Sequence, residues 1–103
     1  MEGLIVGRVV HYVISEDDAK AINARRTEAN QIPPSEKLPG VQYFVGNSVE
    51  AGEHCAMVIV KVWNSDGLIN GKVLLDGRDE YWTTSKSFSD EKKPYTWHWI
   101  EKA

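Results

Sequence analysis

The sequence predicts a mainly β fold with one α-helix (α+β): a small, partly open antiparallel β-barrel, SH3-like or OB-like, of about six strands with the helix after the first strand. Three observations lead there. Runs rich in β-branched residues recur along the chain, turn residues such as Gly-Asn and Asp-Gly separate them, and one stretch alone has a helix-forming composition. A chain of many short strands must curl its sheet to hide the edges.

Residues 3–14, GLIVGRVVHYVI, read as a long first strand, with Gly7 marking a bulge or bend. Ser15-Glu16-Asp17-Asp18 follows as a capping box, in which the Ser15 hydroxyl accepts from the Asp18 amide while three carboxylates face the positive end of the helix dipole. The helix is expected over residues 16–29. Its apolar stripe, Ala19, Ile22 and Ala29, is narrow, so the helix is expected to lie across one side of a sheet.

Residues 30–40, NQIPPSEKLPG, contain three prolines and a glycine and end the helix in an extended loop. VQYFVGNSVEAG offers a short strand, a turn at Gly46-Asn47 and another at Ala51-Gly52. HCAMVIVKVW is the strongest strand, apolar on both faces and therefore central, with Trp63 expected in the core. NSDGLING turns into KVLLD, Asp76-Gly77 leads tightly into EYWTTSKS, SDEKKP is a solvated loop, and YTWHWIE is the last strand.

A chain of 103 residues is expected to form a single domain, 1–103. Net charge is −3, which argues against long nucleic acid, where many phosphates must be neutralised, but leaves room for a small anionic ligand. The longest apolar run, Ala56 to Val60, is too short to cross a membrane, and the N-terminus lacks the basic region of a signal peptide. These features predict a cytoplasmic protein without a membrane partner. The single Cys55 is expected to be a small buried hydrophobe whose desolvation raises its thiol pKa, the wrong direction for a nucleophile.

No G-x-S-x-G elbow, P-loop or dinucleotide fingerprint is present, so no catalytic residue and no cofactor is predicted. His11, His54 and His98 have none of the local spacings that fix a metal geometry, and no metal ligand is predicted. The remaining candidates are of a binding type: Arg8, His11 and Tyr12; Arg25, Arg26 and Thr27; Trp82, Thr83, Thr84 and Ser85; and His98. Arg, Thr and Ser donate to phosphate oxygens, while Trp, Tyr and His offer faces on which a base stacks. Each also has a structural explanation: core aromatics, a solvated helix end, the outer face of a strand. In the last strand Trp97 and Trp99 point one way and His98 the other. The expectation is that the tryptophans pack and His98 faces the ligand beside Arg25 and Arg26.

The ordered set GRVVHYV, DAKAINARRT, GNSVEAG, VIVKVW, NGKVLLDG, WTTS and WHW resembles a family of small proteins of tailed bacteriophages and prophages, over nearly the whole chain. The resemblance implies kinship with phage sponge proteins that sequester the cyclic nucleotide signals of host immune systems such as CBASS and Thoeris. It then implies a homo-oligomer in the host cell cytoplasm that binds a cyclic di- or trinucleotide without cleaving it. The alternative is a structural or protein-interaction module, a virion accessory or an inhibitor of a host enzyme.

Overall fold

The computed structural model describes residues 1–30 and 46–101. Its elements are β1 (Val9–Val13), α1 (Glu16–Asn30), β2 (His54–Val62), β3 (Ile69–Leu74), β4 (Glu80–Lys86) and β5 (Trp97–His98). Among the described residues the five strands form one antiparallel sheet in the order β4-β3-β2-β1-β5, which does not close. The expected sixth strand falls largely on residues 41–45, outside the described residues; the neighbouring Gly46 makes an isolated antiparallel bridge to Gly77.

The long first strand is cut to Val9–Val13 because Gly3 and Gly7 adopt positive φ, 80° and 94°, and turn the chain before it extends. The last strand is reduced to Trp97–His98, although Tyr95 N–H donating to Val13 O (2.8 Å) and Val13 N–H donating to Thr96 O (3.0 Å) prolong its pairing with β1. β2 is central as expected, between β1 and β3. Trp63 is not in the core. A register shift between Ile59 and Lys61 precedes it, and it stands 53% exposed, with its indole N–H on Asn70 Oδ1 at 2.8 Å and the Lys61 ammonium over its ring.

Strand alternation sorts the sheet into two faces. Val10, Tyr12, Met57, Ile59, Val73 and Trp97 are fully buried and, with Ala19 and Ile22 of the helix, belong to one core cluster. Met57 reaches over the backbone of β3, where Gly71 leaves room for its thioether; a Cβ there would collide with it. Fully burying side chains of this size stabilises a fold by roughly 1.5–3 kcal/mol each.

The helix itself is weakly amphipathic, and polar bonds fix it in place. Its covered stripe is Asp18, Ala19, Ile22 and Arg26, two apolar and two charged residues. The capping box forms as expected, with Asp18 N–H donating to Ser15 Oγ (3.1 Å) and Ser15 N–H to Asp18 Oδ2 (3.0 Å). The same carboxylate also accepts the Tyr12 hydroxyl (2.5 Å) and the Tyr81 hydroxyl (3.0 Å), tying β1 and β4 to the helix start. One turn on, Asn23 pairs both ways with the Val49 backbone at 2.9 Å, and Arg26 Nε donates to Asn47 O. Gly46 allows this close approach, since a Cβ there would lie 2.5 Å from Asp76 O.

Asp18→Ala removes the acceptor of three donors, two of them tyrosine hydroxyls, and is expected to cost about 3 kcal/mol in urea denaturation; a loss below about 1 kcal/mol would contradict the role given to this carboxylate. Burial and the Asp18 contact push Tyr81 up to about 12, and the same two causes raise Tyr12 strongly. Both hydroxyls thus bind their protons more tightly folded than unfolded. For Tyr81 this stabilisation is complete below the ordinary tyrosine value near 10 and is lost as pH rises through about 12, and for Tyr12 it persists to higher pH. Ultraviolet titration of tyrosine ionisation checks this: a late-titrating step should be present in the native protein and move toward the ordinary value in Asp18→Asn.

Candidate functional site

Three segments distant in sequence meet on the outer face of the sheet. His11 in β1 is the register partner of His98 in β5 and of Ala56 in β2, while Val13 is the partner of His54. Residues two apart in a strand share a face, so His11, His54 and His98 all project to the same side. Their rings meet edge to face, His54–His98 at 5.0 Å between centroids and His11–His98 at 5.7 Å. Glu101, three residues past His98, returns its carboxylate onto them.

One oxygen, Glu101 Oε1, stands 2.5 Å from His54 Nδ1, 2.6 Å from His98 Nε2 and 3.9 Å from His11 Nδ1. The second oxygen lies 3.6 Å from Lys92 Nζ. The cluster runs from inside to outside: His98 is 2% exposed and His11 half-buried, whereas His54 and Glu101 reach solvent.

The hydrogen bonds from His98 and His54 hold the Glu101 carboxyl well down, at about 2, so it is ionised at neutral pH. Burial lowers the His98 pKa, partly offset by the carboxylate beside it. An ionised carboxylate only accepts, which places hydrogens on His98 Nε2 and His54 Nδ1. A neutral His98 then keeps a bare lone pair on Nδ1. That atom and His11 Nδ1 are both buried without a hydrogen-bond partner.

The eleven residues predicted from sequence do not share one pocket. His11 and His98 join the cluster just described. Arg25 and Arg26 do not reach it: both turn to Asp79 in the β3–β4 connection, Arg25 Nη2 at 2.8 Å from Oδ2 and Arg26 Nη2 at 3.1 Å from Oδ1. The placement of His98 beside these arginines is therefore corrected; a carboxylate of the chain's own already occupies them. Thr27 bonds back to Asn23 O within the helix. Tyr12 and Thr83 are buried on the inner side, Tyr12 committed to Asp18.

Trp82 and Thr84 lie outward on the edge strand β4, where Trp82 is 60% exposed opposite Lys72. Ser85 takes a left-handed φ of 52° and gives its N–H to Asn70 Oδ1, the acceptor that also holds Trp63. It shapes an irregularity in the β3–β4 pairing. Arg8 lies over Trp99 on the other side from His98, 5.5 Å from the ring centroid. Cys55 is half-buried, and burial pushes its thiol up, as expected.

No metal ligand was expected because the histidines lack local spacing; the structure nonetheless gathers them on one face. Spacing along a chain reports local geometry only, whereas strand pairing brings His11 and His98, 87 positions apart, into direct register. His54, Lys92 and Glu101 were absent from the expected site. For His54 the one sequence signal was strand parity; Lys92 and Glu101 lie outside any strand and gave none. An open groove of about 590 Å³ follows Leu74, Leu75 and Gly77 to Glu80, apart from the histidines.

Among the described residues no helix is long and apolar enough to cross a membrane. Comparison of the chain with models of protein families, with curated proteins and with solved structures gave no match.

The hydrogen-bond pattern fixes a ring form that long-range ¹H–¹⁵N spectra can read directly. At pH 7 His98 is expected as the neutral tautomer with hydrogen on Nε2; a neutral Nδ1–H tautomer would contradict the geometry, and an imidazolium the lowering of its pKa by burial.

Proposed function

We propose that the protein is a non-catalytic binding protein that sequesters a small anionic ligand on the outer face of β2, β1 and β5. The observation that carries this is the seated carboxylate. Three imidazoles and the Lys92 ammonium surround Glu101, so this face already holds an anion made of two acceptor oxygens. A phosphodiester offers the same charge and the same kind of acceptor, and Glu101, outside any strand and partly exposed, is the group it would displace.

The specific form of the proposal is the sponge that the phage-family resemblance implies: capture of an intact cyclic di- or trinucleotide in the host cytoplasm by a homo-oligomer, with neither membrane nor long nucleic acid as partner. In this form His11 and His98 keep the ligand-contacting role expected of them, and Arg25 and Arg26 leave it. The finer architecture proposed is a partly open barrel of the SH3-like or OB-like kind. Its support is the parallel bridge of Phe88 to Trp97, with Trp97 N–H donating to Ser87 O (3.1 Å), which links the segment after one edge strand to the other edge strand.

A second reading, a structural or protein-interaction module, draws on the exposed tryptophans: Trp82 and Trp63 both stand largely in solvent, and exposed tryptophans commonly anchor interfaces.

Calorimetric titration with a panel of cyclic di- and trinucleotides tests the main proposal. Binding is expected, weakened at least about tenfold in His54→Ala, a change of about 1.4 kcal/mol, with the nucleotide recovered uncleaved after denaturation. A linearised product would make the protein an enzyme. Absence of binding across the panel removes the sponge and leaves the interaction module, for which Trp82→Ala should then abolish capture of the host or virion partner.

A further inference from the structure

We propose that His11, His54, His98 and Glu101 form a binding site for a divalent transition-metal ion of the zinc, cobalt or nickel kind. The inference goes beyond the anion-binding proposal and concerns the same residues, read by their donor atoms instead of by the anion they hold. Histidine, glutamate and their spatial arrangement are at issue, whatever larger ligand the face takes.

The donor set comes first. Three imidazoles and one carboxylate are the ligands that borderline metals such as Zn²⁺ prefer, whereas Ca²⁺ and Mg²⁺ require an oxygen-rich shell that this cluster lacks. Ligand atoms of His11, His98 and Glu101 all lie within 4.8 Å of one another. His54 stands outside that set of mutually close atoms, but its Nδ1 contacts the same carboxylate oxygen at 2.5 Å.

Geometry comes next. In a tetrahedral site with metal–nitrogen bonds of ~2.0–2.1 Å, neighbouring ligand atoms stand roughly 3.3 Å apart. The present contacts to Glu101 Oε1, 2.5, 2.6 and 3.9 Å, bracket that value. As a neighbouring ligand atom the carboxylate oxygen stands too near His54 and His98, at 2.5 and 2.6 Å, and too far from His11, at 3.9 Å. Moving it outward by about an ångström or two, to become the fourth ligand, opens the central position. Glu101 lies outside any strand and reaches solvent, so the displacement asks nothing of the sheet.

The third observation is the pair of orphaned nitrogens. Buried polar atoms are nearly always hydrogen-bonded, and exceptions call for an explanation. His11 Nδ1 and His98 Nδ1 are both buried without such a partner, the latter on a ring whose Nε2 is the atom that meets Glu101. For His11 the orphaned atom is the one that faces Glu101, at 3.9 Å. A metal at the centre supplies the partner His11 lacks.

Rigidity completes the case. His11 and His98 are register partners in paired strands, so their backbones are fixed relative to each other, and a preformed site loses little entropy on binding. His54 and Glu101, at the open side, supply the adjustable ligands and the entry path.

The test uses the untagged full-length chain, stripped with a chelator, titrated with Co²⁺ and then competed with Zn²⁺. One Co²⁺ per chain is expected, with the visible absorption of a four-coordinate ion, bleached by Zn²⁺. Zn²⁺ should also raise the melting temperature in proportion to its affinity. His98 is buried and its truncation endangers the fold, so His54→Ala and Glu101→Gln carry the argument, with metal-free melting curves as the control. Each is expected to weaken Co²⁺ binding by more than the ~10–100-fold typical of losing an outer-shell partner.

No uptake of Co²⁺ or Zn²⁺ at micromolar concentrations overturns the inference, as does affinity unchanged in both variants or a six-coordinate spectrum that the variants leave intact. Repeating the nucleotide titration with chelator present separates the two proposals. Nucleotide binding without metal uptake sinks the metal site alone; metal uptake without nucleotide binding sinks the sponge alone.

Discussion

The rest of the fold depends on where one buried carboxylate sits. Asp18 accepts hydrogens from Ser15, Tyr12 and Tyr81, so a single side chain caps α1 and ties it to β1 and β4. A buried carboxylate is costly unless all its acceptor sites are used, which makes the arrangement self-selecting: shifting the helix by one turn would strand the charge. Asn23 and Arg26 repeat the device further along the same face, against Val49 and Asn47. A helix with so little apolar surface is therefore located by directional bonds more than by hydrophobic area.

That constraint reaches the site through strand parity. Tyr12 must point inward to meet Asp18, so its neighbour His11 must point outward. Trp97 points inward, its indole N–H on Gly67 O at 2.7 Å, so His98 points outward. Met57 is inward in β2, and so are the residues two apart from it, which sends His54 to the same outer face. The histidine cluster is the far side of the core's own pattern. A one-residue slip of β1 would bury His11 and expose Tyr12, and one of β5 would bury His98's face of the strand and expose Trp97's.

This also marks what could be read from the sequence. The capping box, the helix, the central strand and the opposition of Trp97 to His98 rest on local rules, and each was legible before any coordinates. What lay hidden depends on pairing between distant segments. The histidines looked unrelated because spacing along the chain says nothing about which strands become neighbours. Arg25 and Arg26 looked like phosphate donors because Asp79 is over fifty positions away by number and gives no local sign of pairing with them. Trp63 looked like core because alternation was carried through a register shift that sequence does not announce.

The two charged clusters can then be ranked as places for a ligand. Arg26 is almost wholly covered, bound to Asn47 O and ion-paired to Asp79, so a phosphate arriving there would have to strip a buried cation of both partners. Removing one partner of such a pair costs several kcal/mol, about 3–5 in measured cases, before any contact with ligand is gained. The histidine cluster differs in the one respect that matters. Its interior members are fixed by strand pairing, but Glu101, the group that now fills it, belongs to no strand and is exposed to solvent. Withdrawing that carboxylate leaves it in water instead of stranding it in the core, so the exchange of an internal occupant for an external one is cheap on this face and prohibitive at Asp79. Function on this small sheet is therefore to be sought where the chain's own partner can leave.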